Sequence, residues 1–81
     1  MATRRIRLSV IFSRERGQWQ LKEGARVISG FASKRKAIDE GRLAGRSYWD
    51  AGRLAQLVVK GKNGRIMFEN TYGKDPRRHK G

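Results

Sequence analysis

The sequence predicts an α+β protein of two layers, with one helix packed on a five-stranded, mainly antiparallel sheet in the order βββ-α-ββ. Residues 5–31 and 54–72 alternate apolar and polar side chains, as half-buried strands do, whereas residues 34–51 lack Pro and follow a helical period. The chain has 81 residues and no Cys, so apolar burial must stabilise it. We expect a single domain over residues 1–76 and a disordered basic tail over residues 77–81.

The first three strands form a predicted antiparallel meander. They cover residues 5–12, 18–22 and 26–31, and polar turns that contain Gly separate them. Gly30 indicates a bulge or an end in the third strand. The side chains expected to face the core are Ile6, Leu8, Val10, Phe12, Trp19 and Leu21. For Trp19 a core position is favoured over a base-stacking surface, because it alternates in register with Leu21.

The helix is predicted from its start signal and its apolar arc. Ser33 is a good N-cap, and Gly52 is a good residue to follow the C-terminus. The expected core arc consists of Ala37, Gly41, Ala44 and Tyr48, flanked by Ile38 and Gly45. Arg35, Arg42 and Arg46 fall on the opposite side and form a predicted arginine stripe.

The last two strands form a predicted hairpin whose turn is Asn63-Gly64. Both residue types accept the positive φ angles of a type I′ turn, so we expect a two-residue loop. Regular alternation would then put Leu57, Val59, Ile66 and Phe68 on one buried face. The expected strand order places the fifth strand beside the first, which makes every pair antiparallel.

Composition argues against an enzyme and in favour of an anionic partner. Twenty Lys and Arg against seven Asp and Glu give a net charge of +13. The single histidine, His79, lies in the tail, so neither a metal cluster nor a nucleophile with its base is expected, and no cofactor. No apolar run is long enough to span a membrane, and a cytoplasmic protein is expected.

Four segments of the chain resemble a bacterial and archaeal family, domain of unknown function 2188. They are GQWQLKEG at 17–24, FASK at 31–34 with Ala37-Ile38, VVKGKNGRI at 58–66, and NTYGKDP at 70–76. The resemblance implies a fold and no activity. The chain departs from the family pattern at Lys60, where His is frequent, and in its more basic helix and tail.

Nine cations are the candidate binding residues, and their expected ligand is nucleic acid. They are Lys34, Arg35, Lys36, Arg42, Arg46, Arg53, Lys60, Lys62 and Arg65. Phosphate contacts would dominate, with DNA favoured over RNA. Simple solvation, or pairing with Asp39 and Asp50, would explain part of this charge. The alternative is an adaptor or inhibitor from a phage or mobile element that binds an acidic or nucleic-acid-binding surface of a host protein. For either function a monomer or a homodimer is expected.

Overall fold

The computed structural model describes residues 5–73, which form one five-stranded sheet with one helix packed on it. The α+β class and the order of elements are therefore confirmed. The elements are β1 Ile6–Ser13, β2 Gln18–Glu23, β3 Arg26–Phe31, α1 Lys34–Asp50, β4 Ala55–Lys60 and β5 Ile66–Tyr72. The proposed tail at 77–81, and residues 74–76 of the predicted domain, lie outside the described residues.

The sheet is mixed, with the strand order β3-β2-β1-β4-β5. The expected pairing of β5 with β1 is wrong, because β4 lies beside β1 and runs parallel to it. The reason is that β4 is buried on both faces of the sheet. Leu57, Val58 and Val59 are at most 7 % exposed, which suits a central strand, whereas β5 carries polar residues and forms an edge. The helix provides the long crossover that the parallel arrangement requires.

The β4–β5 hairpin has a three-residue loop, so the predicted type I′ turn is wrong. Gly64 has a φ of 81°, but no non-glycine residue among those described has a positive φ. The amide of Gly64 donates to the carbonyl of Gly61, and the amide of Gly61 donates to the carbonyl of Arg65. These bonds define a type I turn followed by a left-handed glycine, the usual solution for three-residue loops.

A register shift between Val59 and Lys60 changes which residues of β5 face the core. Phe68 pairs with Val59 and packs against the core, as predicted. Ile66 pairs instead with Lys60 and is 55 % exposed, so its predicted core position is wrong. A bulge adds one residue to one strand and therefore reverses the alternation beyond it.

The core lies between one face of the sheet and the glycine-rich side of α1. Its largest fully buried side chains are Leu8, Val10, Leu57 and Val59. A Cβ atom on Gly41 would lie 2.8 Å from Cδ1 of Leu57, and one on Gly45 would clash with the ring of Tyr72. The two glycines thus let the helix lie directly on β4 and β5. Trp19 is 8 % exposed, which confirms its core position.

Candidate nucleic-acid interface

A basic cleft, here called the β5 cleft, runs between α1 and the edge strand β5. Its volume is about 560 Å³, and seven residues line it: Lys34, Arg35, Ile38, Asp39, Arg42, Met67 and Phe68. Three of these residues are cations and one is a carboxylate, while Ile38, Met67 and Phe68 form an apolar floor. The cleft therefore combines an apolar floor with a rim that attracts anions.

Lys34 is fixed at the mouth of the β5 cleft by the start of the helix. Ser33 caps α1 and its hydroxyl accepts from the amide of Lys36 at 3.1 Å, so the first turn is well formed. The ammonium of Lys34 lies 5.3 Å from the ring centroid of Trp19 and also contacts Sδ of Met67. The first turn of α1 contains no acidic residue that would neutralise this charge.

Arg42 lies farther along the same cleft and is held by two groups of β5. Its guanidinium carbon is 5.8 Å from the ring centroid of Phe68, within the range of cation–π attraction. Its Nε lies 3.3 Å from the amide oxygen of Asn70, in the amide orientation that satisfies both groups. These contacts orient a planar cation along the wall of the cleft.

Lys62, in the hairpin loop, lies at the same end of the molecule as Lys34. Its ammonium lies 4.8 Å from the ring centroid of Phe12, and Phe12 packs edge-on against Trp19 with the centroids 5.0 Å apart. Lys34 and Lys62 therefore flank one aromatic pair. This arrangement adds positive charge next to the mouth of the β5 cleft.

The other predicted binding residues lie apart from this cleft. Lys60 lines a separate depression on the open face of the sheet together with Arg7. Arg53 lies near the start of β1, where its guanidinium is 6.0 Å from the ring of Tyr48. Lys36 follows Lys34 by two residues, so it points about 200° away around the helix. Two further candidates, Arg46 on α1 and Arg65 in the hairpin, are exposed and line none of these depressions.

A second cleft, here called the β3 cleft, lies on the other side of α1 and contains an internal hydrogen bond. It is lined by Glu23, Arg26, Ile28, Ala44, Ser47, Tyr48 and Ala51. The hydroxyl of Tyr48 donates to the Glu23 carboxylate at 2.7 Å. This hydrogen bond, then burial, then the negative charge of Glu23 raise the pKa of Tyr48 above its ordinary value of 10.0.

Residues 5–73 contain neither a metal-ligand cluster nor a membrane-spanning helix. In that range no three His, Cys, Asp or Glu side chains come close enough to hold a metal ion. The described part of the chain also has no helix that is both long enough and apolar enough to cross a membrane.

Met67 and Phe68 were not predicted as site residues. Regular alternation assigns Met67 to the face opposite Phe68, and the bulge that lets its side chain reach Lys34 has no clear sequence signal. Arg7 on the open face was readable from the alternation of β1, but its pairing beside β4 was not. The face of the sheet on which Arg7 lies could be predicted, whereas the identity of the strand beside β1 could not.

These features define a class: a small α+β protein with one helix on a mixed sheet and a basic cleft along an edge strand. The family model described as uncharacterized protein conserved in bacteria (DUF2188) matches residues 9–72. The chain therefore belongs to this family, as its sequence segments predicted. No curated protein and no solved structure matches it.

Proposed function

We propose that this protein is a non-enzymatic, cytoplasmic nucleic-acid-binding protein that contacts mainly phosphates and favours DNA over RNA. The observation that carries the proposal is the β5 cleft, where Lys34, Arg35 and Arg42 face a single carboxylate. The net charge of +13 supports it, because so strongly basic a domain gains from neutralisation by a polyanion.

The fixed positions of two cations strengthen this proposal. Lys34 and Arg42 lie within cation–π distance of the rings of Trp19 and Phe68, so they lose part of their side-chain freedom on folding. Ordering a free Lys or Arg on binding costs roughly 0.5 to 1.5 kcal/mol per side chain. Cations held in advance avoid part of that cost, and they hold phosphates in a defined position.

The dependence of binding on salt tests the proposal. Each phosphate contact releases counterions, so the slope of log K against log salt is about −0.9 per contact on duplex DNA and about −0.7 on single strands. The double variant Arg35→Gln/Arg42→Gln should make the slope less steep by about 1 to 2. Fluorescence anisotropy with labelled duplex DNA, single-stranded DNA and RNA measures this change.

The control removes the same charge from another part of the surface. Arg5→Gln/Arg26→Gln also lowers the net charge by two, but Arg5 and Arg26 lie outside the β5 cleft. We expect this variant to keep the slope of the original protein. Absence of binding to all three nucleic acids at low salt, or equal slopes for the two variants, would overturn the proposal.

A protein partner is the second candidate, and the outer edge of β3 favours it. Val27 and Ile28 are 47 % and 42 % exposed on this edge strand, which a partner strand could extend. In this alternative the protein is a phage-type or mobile-element-type adaptor that binds an acidic or nucleic-acid-binding surface of a host protein. A protein captured after nuclease treatment by the original chain, but not by Ile28→Glu, would favour the adaptor.

A further inference from the structure

The floor of the β5 cleft is apolar, which phosphate binding alone does not explain. Met67 is 56 % exposed although it is apolar, and Ile38 and Phe68 line the same floor. A surface that contacted only phosphates would gain nothing from these side chains. An apolar floor beneath a cationic rim instead matches a ligand with a flat apolar part and a negative part.

We propose that the β5 cleft holds an unpaired base of a single-stranded nucleic acid, with the adjoining phosphates on Lys34 and Arg35. This inference rests on the proposed function and narrows it. In a duplex the base faces are covered by their stacked neighbours, whereas a single strand can place a base face against a side chain. The protein should therefore bind single strands more tightly than duplexes of the same sequence.

Arg42 provides the surface on which the base would stack. Its guanidinium carbon lies 5.8 Å from the ring centroid of Phe68 and its Nε is directed to Asn70, so two contacts hold the cation in the cleft. Bases stack on aromatic rings and on guanidinium planes in single-strand binding proteins. Asp39, the carboxylate on the rim, can accept a hydrogen bond from an exocyclic amino group of the base.

Two neighbouring residues offer a matched test. Ile66 and Met67 are consecutive and almost equally exposed, at 55 % and 56 %. Met67 lines the β5 cleft, whereas Ile66 lines the depression on the open face of the sheet. Met67→Gln should weaken binding to a single-stranded oligonucleotide by about 3- to 10-fold without changing the salt slope, because a base contact and not a charge is lost. Ile66→Gln should change binding less than twofold.

A second pair of variants separates the shape of the cation from its charge. Arg42→Lys keeps the charge but removes the planar guanidinium group on which a base can stack. It should therefore weaken single-strand binding by about 3- to 10-fold. Arg46→Lys, one helical turn away, should have almost no effect. Anisotropy with labelled single-stranded DNA and its duplex at equal salt measures both pairs, and 2-aminopurine fluorescence should report stacking of a base.

Each outcome separates the two proposals. Tighter binding of the single strand, with losses confined to Met67→Gln and Arg42→Lys, supports base capture in the cleft. Equal or tighter binding of the duplex, or equal effects of Met67→Gln and Ile66→Gln, overturns base capture but leaves phosphate binding in place. Failure to bind any nucleic acid overturns both.

Discussion

The β5 cleft and the β3 cleft flank the same helix and differ in charge much more than in size. Their volumes are about 560 and 510 Å³. The β5 cleft has three cations and one carboxylate, and two of the cations, Lys34 and Arg42, lie over aromatic rings. The β3 cleft has one cation, Arg26, and one carboxylate, Glu23, which is already bonded to Tyr48. The volume of a cleft therefore does not by itself identify a candidate site in this fold. The excess of positive charge in the β5 cleft does identify one.

The largest expected effect comes from the core that both clefts share. Leu57 is fully buried beneath α1, so Leu57→Ala should lower the free energy of unfolding by about 2 to 5 kcal/mol through lost burial and the cavity left behind. Denaturant unfolding measures the change. Leu43→Ala is the control, because Leu43 is 61 % exposed on the same helix. A similar loss in both variants would contradict the position of the core.

An intermediate effect should disturb one cleft and spare the other. Gly64 has a φ of 81°, and β5, the strand that follows its loop, lines the β5 cleft but not the β3 cleft. Gly64→Val should cost at least about 1 to 2 kcal/mol, because a side chain is unfavourable in this conformation. Hydrogen exchange should show faster opening of β5 than of β3.

Arg65→Val is the control for the turn, since it places the same side chain in the same hairpin at a residue without positive φ. Its stability should stay within about 0.5 kcal/mol of the original protein. Equal destabilisation by Gly64→Val and Arg65→Val would show that the left-handed glycine does not determine the effect.

The smallest expected effect is a gain of affinity. Asp39→Asn removes the one carboxylate of the β5 cleft, so binding to duplex DNA at low salt should strengthen by about 2- to 4-fold and the gain should fade as salt rises. Glu23→Gln changes the net charge equally, but in the β3 cleft, and should alter affinity less than about 1.5-fold. Titration by anisotropy compares the two variants. Equal gains would mean that overall charge, and not the β5 cleft, governs binding.

The sequence predicted the helix and strands of this fold better than it predicted which strands lie side by side in the sheet. The helix and the β1–β3 meander followed from period, caps and turns, which are local signals. Strand order is not local, since β5 or β4 could lie beside β1 without changing any alternation. The continuous apolar run Leu57-Val58-Val59 was the available sign of a central strand, because it is buried on both faces.

The candidate site was predicted only in part for the same reason. Charge and helical spacing identified Lys34, Arg35 and Arg42, which the structure brings together in one cleft. They did not separate Lys60 from this group, although its alternation with Val59 indicates the opposite face of the sheet, where it lies. The bulge near Lys60 also decides that Met67 reaches the cleft while Ile66 does not. Such a register shift depends on tertiary packing and leaves little trace in the sequence.

The parallel pairing of β1 with β4 has a consequence for the order in which the chain folds. Ile6 pairs with Ala55, so the centre of the sheet forms only after roughly 50 intervening residues have been brought back by the helix. During synthesis the β1–β3 meander emerges before β4. The edge of β1 that includes Leu8 and Val10, and that later pairs with β4, is then still uncovered. Docking of the β4–β5 hairpin against β1, and not formation of any single hairpin, should therefore set the folding rate.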